Sequence, residues 1–560
     1  MASPGKDKTS TKSKNPLGML TSLFSSKGPK RVKLPKSEVE NKKMVDKGEG
    51  GWISDYTRLP PIEGENITVK EIIPIRPPYS YARILYDEDD KDYLYQAIEP
   101  DLNEKEQRMF KLIKDTLDRT LSYDWEKMEE KDKEEFLRES VESYIKSRGI
   151  KLDKKSEKRV IYYILRDYVR YGPLDVLMSD DLVEDLSCDG IDIPLFIYHS
   201  KYESVKTDVK FEKEDRLNNY IIQLGQRCGK QVSVSTPILD GTTREGHRVQ
   251  ATYAKEVSTR GSSITIRRYK EEPFTPVKLV TFNTASPEMV AYMWLMVENE
   301  KSMIVAGGTA CGKTATLNAA SLFIPPGPKI VSLEDTREIN LPQENWIPST
   351  TRTGSGTKRG PEGRAPGEVT MYDLVRNALR QRPDYIIVGE VRGKEAHTMF
   401  QAMATGHTTY STMHADSVES MVHRLENPPI NCPRVLLTAL KFVIIQTFAR
   451  VEGEEVRRIQ EITELVGFEP ESDELITNTV FEWNRKSDGF VYKGHSFNFD
   501  EITEMKNWTQ EEMNEEFGDR VEIIEYMVNK GMTNYKEIAK IVTSYYKEPE
   551  ETLARIRGDK

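Results

Sequence analysis

Cysteine is scarce in this chain: there are four in 560 residues, Cys188, Cys228, Cys311 and Cys432. They are widely spaced and form no CxxC pair and no Cys/His cluster, which argues against a disulfide scaffold and a thiolate zinc site and predicts free thiols in a reducing compartment. Long apolar runs are missing as well. No window reaches about 18 consecutive apolar residues, and the opening MASPGKDKTS has no apolar signal region, so a soluble, unexported chain is expected. Nor is there a surplus of positive charge. The 81 Lys and Arg residues face 91 Asp and Glu, a net charge of -10. That balance argues against a protein built to coat a polyanion, and no specific nucleic-acid partner is expected.

The charge that is present is unevenly spread. Residues 1–50 hold 12 basic and 5 acidic side chains, a net of +7, which leaves -17 for the rest. This stretch is rich in Lys, Ser, Gly and Pro and poor in aromatics, and cannot bury enough apolar surface to offset the entropy of ordering, so a flexible basic tail is expected. Within it Leu17, Leu20 and Phe24 would share one face of any helix, and contact with an anionic membrane surface is one use for such a segment.

Residues 51–271 are expected to form an α+β domain. From about 100 to 175 apolar residues recur at helical spacing, at Phe110, Ile113, Leu117 and Leu121 and again at Phe136, Leu137, Val141, Tyr144 and Ile145. Short strand-like segments follow, PLFIYH at 194–199 and SITIRRY at 263–269, with Asp-Gly turn signals at 189–190 and 240–241. Three prolines in EEPFTPVKLVTFNTASPE suggest a linker over 272–285. Beyond it MIVAGG, IVSLED, YIIVGE and TTYSTMH alternate with helical stretches, the pattern of a parallel α/β sheet over 286–470. An acidic, partly helical C-terminal extension is expected over 471–560.

The strongest chemical signal lies in that second domain. Gly307, Gly308, Thr309, Ala310, Cys311, Gly312, Lys313 and Thr314 match GxxxxGK[ST] between an expected strand and an expected helix, with Ala315 next in the helix. In that setting backbone N–H groups and the helix N-terminus surround the phosphates of a nucleotide, Lys313 meets the β- and γ-phosphates, and the Thr314 hydroxyl ligates Mg²⁺. ATP, or ADP, with Mg²⁺ is the expected cofactor set. Cys311 sits inside this loop, where a helix N-terminus would lower its thiol pKa and make it reactive; the alternative is a small residue tolerated in the loop.

Two acidic strand ends extend the site. YIIVGE ends in Glu390, a candidate to polarise the attacking water or hold the metal through water, although Gly389 stands where an Asp is common. SLEDTRE delivers Glu334, Asp335 and Glu338, with Glu334 the candidate shared between catalysis and metal support. His407 and His414, seven apart in ATGHTTYSTMH, point to opposite faces of a strand, which disfavours a shared metal and leaves each as a γ-phosphate sensor or as a satisfied core or loop histidine.

In order and spacing, the Walker A loop, LEDTREI at 333–339, the Gly-Glu at 389–390 and ATGHTTYSTMHA at 404–415 resemble the type II/type IV secretion ATPase superfamily. MYDLVRNALRQRPDYIIVGEVRG at 371–393 is similar to its archaeal branch, the archaellum motors and archaeal pilus-assembly or secretion ATPases, and the resemblance extends from about residue 100 onward. It implies a RecA-like P-loop NTPase domain preceded by the α+β domain, a homohexameric ring, and a polytopic membrane platform protein as partner. It also implies a cytoplasmic protein peripherally associated with the inner face of the membrane. Arginines of the first domain then act as arginine fingers; Arg248 and Arg267 fit best, with Arg260 third, and such a finger contributes ~10³ to 10⁵ in rate. Two readings from other classes are a DNA-handling RecA-like motor, disfavoured by the acidic charge, and a nucleotide-gated assembly scaffold, disfavoured by the intact acids and arginines.

Overall fold

The computed structural model describes residues 51–558, apart from 63, 65, 121–129, 151, 271, 353, 355–364, 470 and 472–473. The basic tail and Leu121 therefore lie outside the described residues. The chain divides into two compact units that meet in sequence at Lys270 and Glu271.

The first unit is an α+β domain. A two-stranded ladder, β1 (Gly51–Trp52) and β2 (Arg58–Leu59), precedes β3 (Ile67–Arg76), β4 (Ser80–Asp87), β5 (Asp92–Ile98), β6 (Val183–Cys188), β7 (Pro194–His199), β8 (Glu203–Lys210), β9 (Ile238–Thr242), β10 (Arg248–Thr252) and β11 (Ser263–Arg267). These last nine form one sheet in the order β3-β4-β5-β8-β7-β6-β11-β10-β9, antiparallel throughout except between β5 and β8. Between β5 and β6 the helices Glu104–Thr120, Glu130–Ser147 and Lys154–Tyr168 share a core of their own through Ile113, Leu117, Leu137, Val141, Ile145, Val160 and Ile164. The expected stripes are thus present with one correction: Phe136 is 43% exposed, and the buried face of its helix is 137, 141 and 145.

The second unit holds the parallel sheet. Its strands are β12 (Met303–Gly307), β13 (Ile330–Glu334), β14 (Trp346–Thr350), β15 (Tyr385–Val388), β16 (Thr408–Met413), β17 (Phe442–Val451), β18 (Glu454–Glu469), β19 (Glu474–Asn484) and β20 (Gly489–Tyr492). They are ordered β14-β13-β15-β16-β12-β17-β18-β19-β20. The first six run parallel and the last three add on antiparallel. Successive residues of each strand face opposite sides. Met303 and Val305 of β12 enter one core with Tyr385, Ile387, Phe442 and Ile444, whereas Ile304 and Ala306 enter the other with Ile386, Val388, Val443 and Ile445. Both faces being covered is why these strands read as unbroken apolar runs.

Two stretches differ from the sequence expectation. The supposed linker contains the helix Pro276–Thr281, capped by the Thr275 side chain, with Val277 and Leu279 buried in the same core as β12. The sheet also runs past residue 470, because β19 and β20 complete it and the helices from Phe497 onward cover one face. Glu464 of β18 joins the two, accepting hydrogen bonds from Tyr292 Oη (2.8 Å), Asn478 Nδ2 (3.0 Å) and the backbone N–H groups of Phe497 (2.8 Å) and Asn498 (3.2 Å).

The helices Pro287–Glu298 and Gln510–Asn529 are joined by a buried charge. Arg520, 2% exposed, pairs with Glu298 at 2.6 Å and Glu516 at 2.7 Å. Removing one partner of such a pair leaves uncompensated charge in a low-dielectric setting. Arg520→Ala is therefore expected to destabilise this unit by roughly 3 kcal/mol, read as a lower denaturant midpoint, whereas Lys506→Ala on the exposed surface leaves the midpoint unchanged.

Candidate functional site

The loop between β12 and the helix Lys313–Ser321 is built by close approach. A Cβ at Gly307 would lie 2.2 Å from the carbonyl oxygen of Gln446 on β17 and 2.6 Å from Cys311 Sγ, so no larger residue fits. Gly312 takes φ +97° just before the helix, and Ala310, carrying a Cβ, takes φ +59°. The Gln446 side chain then accepts a hydrogen bond from Thr316 Oγ1 at 2.9 Å, tying the first turn of the helix to β17. Thr314 and Ala315 are the next two helical residues, both half-buried.

Lys313 opens this helix with its side chain only 8% exposed, and its ammonium bends back to the loop, donating to the Gly308 carbonyl at 2.6 Å. Burial, with help from Arg392, pulls its pKa below the ordinary lysine value. Cys311 does not behave as its place in the loop suggested. It is 1% exposed with Sγ 3.1 Å from the Gly308 carbonyl, and burial pushes its thiol above the ordinary value, outweighing Lys313 and the nearby backbone N–H groups. Desolvation of the thiolate outweighs the helix N-terminus, which favours reading Cys311 as a small residue tolerated in the loop.

The strands neighbouring β12 bring the acids and one histidine to the same edge. Glu390 follows β15 and His414 follows β16, and His414 Nε2 is 3.3 Å from Glu390 Oε1 while its Nδ1 is 3.4 Å from Lys313 Nζ. Burial raises the Glu390 carboxyl, but the Arg392 guanidinium bound at 2.5 Å, with His414 and Lys313, outweighs it and holds the group below the ordinary carboxylate value. His414 is held below its ordinary value by burial and by Lys313, which keeps the imidazole neutral at neutral pH.

Glu334, the last residue of β13, is 2% exposed and is pushed up to about 7 by burial. Its Oε1 accepts from the backbone N–H groups of Glu338 (2.8 Å) and Ile339 (2.9 Å), while Oε2 has no hydrogen-bond partner among the described residues. A Cβ at Gly389 would stand 3.1 Å from Glu334 Cγ. Glycine before Glu390 thus makes room for the acid of the adjacent strand.

Other candidates lie elsewhere. His407 precedes β16 and so sits at the opposite edge of the sheet from His414, about 20 Å away for seven extended residues; its only polar side-chain neighbour is Thr405 Oγ1 at 3.4 Å among the described residues. Its candidacy as a phosphate sensor beside the loop is corrected. Arg248 and Arg267 belong to the first unit, where they are directly opposite partners on β10 and β11. They share a face, Arg248 3.7 Å from Asp240 and Arg267 3.0 Å from Asp185.

Two residues escaped sequence reasoning. Arg392, 2.5 Å from Glu390 and 3.8 Å from Asp335, bridges the ends of β15 and β13, and its place two residues after a candidate acid was the one available signal. Arg457 of β18 donates from Nε to the Ala310 carbonyl at 2.9 Å, 147 residues away in sequence.

Among the described residues no group of three or more His, Cys, Asp and Glu side chains could hold a metal by itself. Mg²⁺ that arrives with phosphates keeps several waters and needs only one or two protein carboxylates besides. The Thr314 hydroxyl and two carboxylates, each with one buried oxygen lacking a hydrogen bond, Glu334 Oε2 and Glu390 Oε1, fit that demand.

A glycine-tight loop, a buried lysine and two carboxylates at the C-terminal edge of a parallel sheet have the arrangement of a P-loop. Residues 196–553 match the family described as type II/IV secretion system protein. An uncharacterised protein of Methanocaldococcus jannaschii is 35% identical over 408 residues, 72% of this chain and 72% of its own. A second from the same organism is 45% identical over 270 residues, 48% of this chain and 97% of its own. The type IV secretion system protein PtlH of Bordetella pertussis is 31% identical over 277 residues, 44% of this chain and 79% of its own. Solved structures that align include the pilus retraction motor PilT with bound ADP, at 20% identity over 51% of this chain and 80% of that one, TM-score 0.37. The chain belongs to the type II/IV secretion system protein family, a family of P-loop ATPases. Among the described residues no helix is long and apolar enough to cross a membrane.

The raised Glu334 carboxyl has a consequence for stability. Its folded-state value of about 7 lies above the ordinary 4.5, so the native chain holds this proton more tightly than the unfolded chain does. The cost is absent below pH ~4.5, grows as pH rises towards ~7, and is then constant at about 3 kcal/mol. Glu334→Gln removes it. In nucleotide-free protein the melting temperature of this variant relative to wild type is expected to climb between pH 5 and pH 8; a constant difference would contradict the assignment.

Proposed function

We propose that the chain hydrolyses ATP to ADP and phosphate and uses the change in phosphate binding to drive mechanical work in filament assembly or secretion. The observation that carries this reading is the convergence of Lys313, Glu390, Glu334 and His414 on the edge of the parallel sheet where the phosphate loop lies. In the proposed mechanism the loop N–H groups surround the β-phosphate, and Lys313 exchanges its Gly308 carbonyl for phosphate oxygens. Mg²⁺, with Thr314 and Glu390 as its nearest protein groups, would offset the charge of the phosphates.

The two carboxyls are pushed in opposite directions, which divides their roles. Glu390, held low, remains ionised and suits metal support. Glu334, pushed up to about 7 and with Oε2 unpartnered among the described residues, suits accepting a proton from the attacking water. His414, neutral and between Lys313 and Glu390, is placed to register the γ-phosphate. Arg248 and Arg267 are proposed as arginine fingers, each offering a planar, permanently charged fork to phosphate oxygens.

The name of PtlH and the family description support a secretion role; beyond them we propose that a homohexameric ring of this chain acts on a polytopic membrane platform protein from the cytoplasmic side, in secretion or in filament assembly. The segment 1–50, at net +7, is proposed to add attraction to an anionic membrane surface.

The test is phosphate release together with nucleotide binding. Lys313→Ala is expected to weaken ATP binding at least tenfold. Glu334→Gln and Glu390→Gln are expected to keep ATP binding and to lose turnover by roughly 100-fold or more, and only Glu390→Gln should raise the Mg²⁺ concentration needed. Full turnover in both acid variants would overturn the assignment.

A further inference from the structure

The phosphate loop contains an unfavourable residue. Ala310 sits at φ +59°, in the left-handed region where a Cβ crowds the following carbonyl, and the loop nevertheless places it there rather than a glycine. A conformation of that kind persists only when its surroundings fix it. The one side chain bound to its backbone among the described residues is Arg457, whose Nε donates to the Ala310 carbonyl at 2.9 Å. We propose that Arg457 is a positioning residue for nucleotide binding: it holds Ala310 in the left-handed state and so keeps the loop N–H groups pre-arranged for phosphate.

The sheet places the arginine beside the loop. Arg457 of β18 lies directly opposite Phe448 of β17, with its guanidinium 5.7 Å from the ring centroid. Gln446, two residues earlier on β17 and so on the same face as Phe448, accepts the Thr316 hydroxyl, and its carbonyl is the atom that excludes a side chain at Gly307. At Gly312 a Cβ would come within 3.4 Å of Arg457 Cδ and 3.0 Å of Gln446 Nε2. Both strands therefore press on the loop at consecutive points, and Arg457 is the contact that carries charge. A guanidinium donating to a carbonyl is stronger than a neutral hydrogen bond. It also places a positive charge behind the loop without occupying the N–H groups that phosphate needs.

This role rests on the ATP-binding reading, and the experiment separates the two. ATP affinity is measured by titration with a fluorescent ATP analogue, and kcat and KM by phosphate release, for wild type, Arg457→Ala, Arg457→Lys, Ala310→Gly and the double variant Ala310→Gly/Arg457→Ala. The expected result is about a tenfold weaker affinity and a matching rise in KM for Arg457→Ala, with kcat at saturation and melting temperature unchanged because the side chain is exposed. Arg457→Lys should recover part of the loss. In the Ala310→Gly background, where the left-handed state carries no Cβ penalty, the Arg457→Ala loss should shrink to about twofold. Unchanged affinity in Arg457→Ala, or the same tenfold loss in both backgrounds, would overturn the proposal, the latter because it would mean direct contact with the nucleotide. Absence of any wild-type binding would instead overturn the ATP reading itself.

Discussion

The site depends on a buried ammonium without a strong counter-charge. Lys313 is almost fully enclosed, hydrogen-bonded to a carbonyl of its own loop, with its charged form disfavoured by desolvation. An isolated buried charge is costly unless paired. In the function proposed above, the β- and γ-phosphates of a nucleotide supply the missing partner, and the surrounding features fit that need. Gly307 and Gly312 let the backbone approach; Gln446 anchors the helix; Glu390 is turned aside by Arg392 rather than closing directly on the lysine.

The carboxylates show how environment separates two residues of one type. Glu334 and Glu390 end neighbouring strands, yet one is enclosed with two backbone donors and is driven up, while the other is half-open beside a guanidinium and is driven down. Gly389 eases this arrangement, because a Cβ there would stand 3.1 Å from Glu334 Cγ and push it aside. The glycine that departs from a common acidic pair thus has a packing reason.

Much of this was legible in the sequence where local chemistry and global position agree. The phosphate loop is one contiguous motif, and β12, β13 and β15 are apolar throughout because both faces of the sheet are covered. The prolines near the domain boundary misled for a physical reason: Pro276 and Pro287 each follow a capping Thr or Ser and occupy the first helical turn, where proline starts a helix instead of breaking it. The strands β18 to β20 were missed because β18 and β19 carry register shifts that interrupt the two-residue period, so polar and apolar residues do not alternate along them. Arg457 and the altered Cys311 depend on contacts distant in sequence or on burial, neither of which a local pattern encodes.

The most direct test of the central claim is the thermal stability of the wild-type chain with Mg²⁺ and, in turn, ATP, ADP and AMP at equal concentration. A ligand that binds only the native state raises the melting temperature in step with its affinity. If Lys313 is the buried charge that phosphate completes, ATP and ADP raise it by several degrees and AMP, which lacks a β-phosphate, does not. Equal shifts for all three, or none for any, would contradict the account.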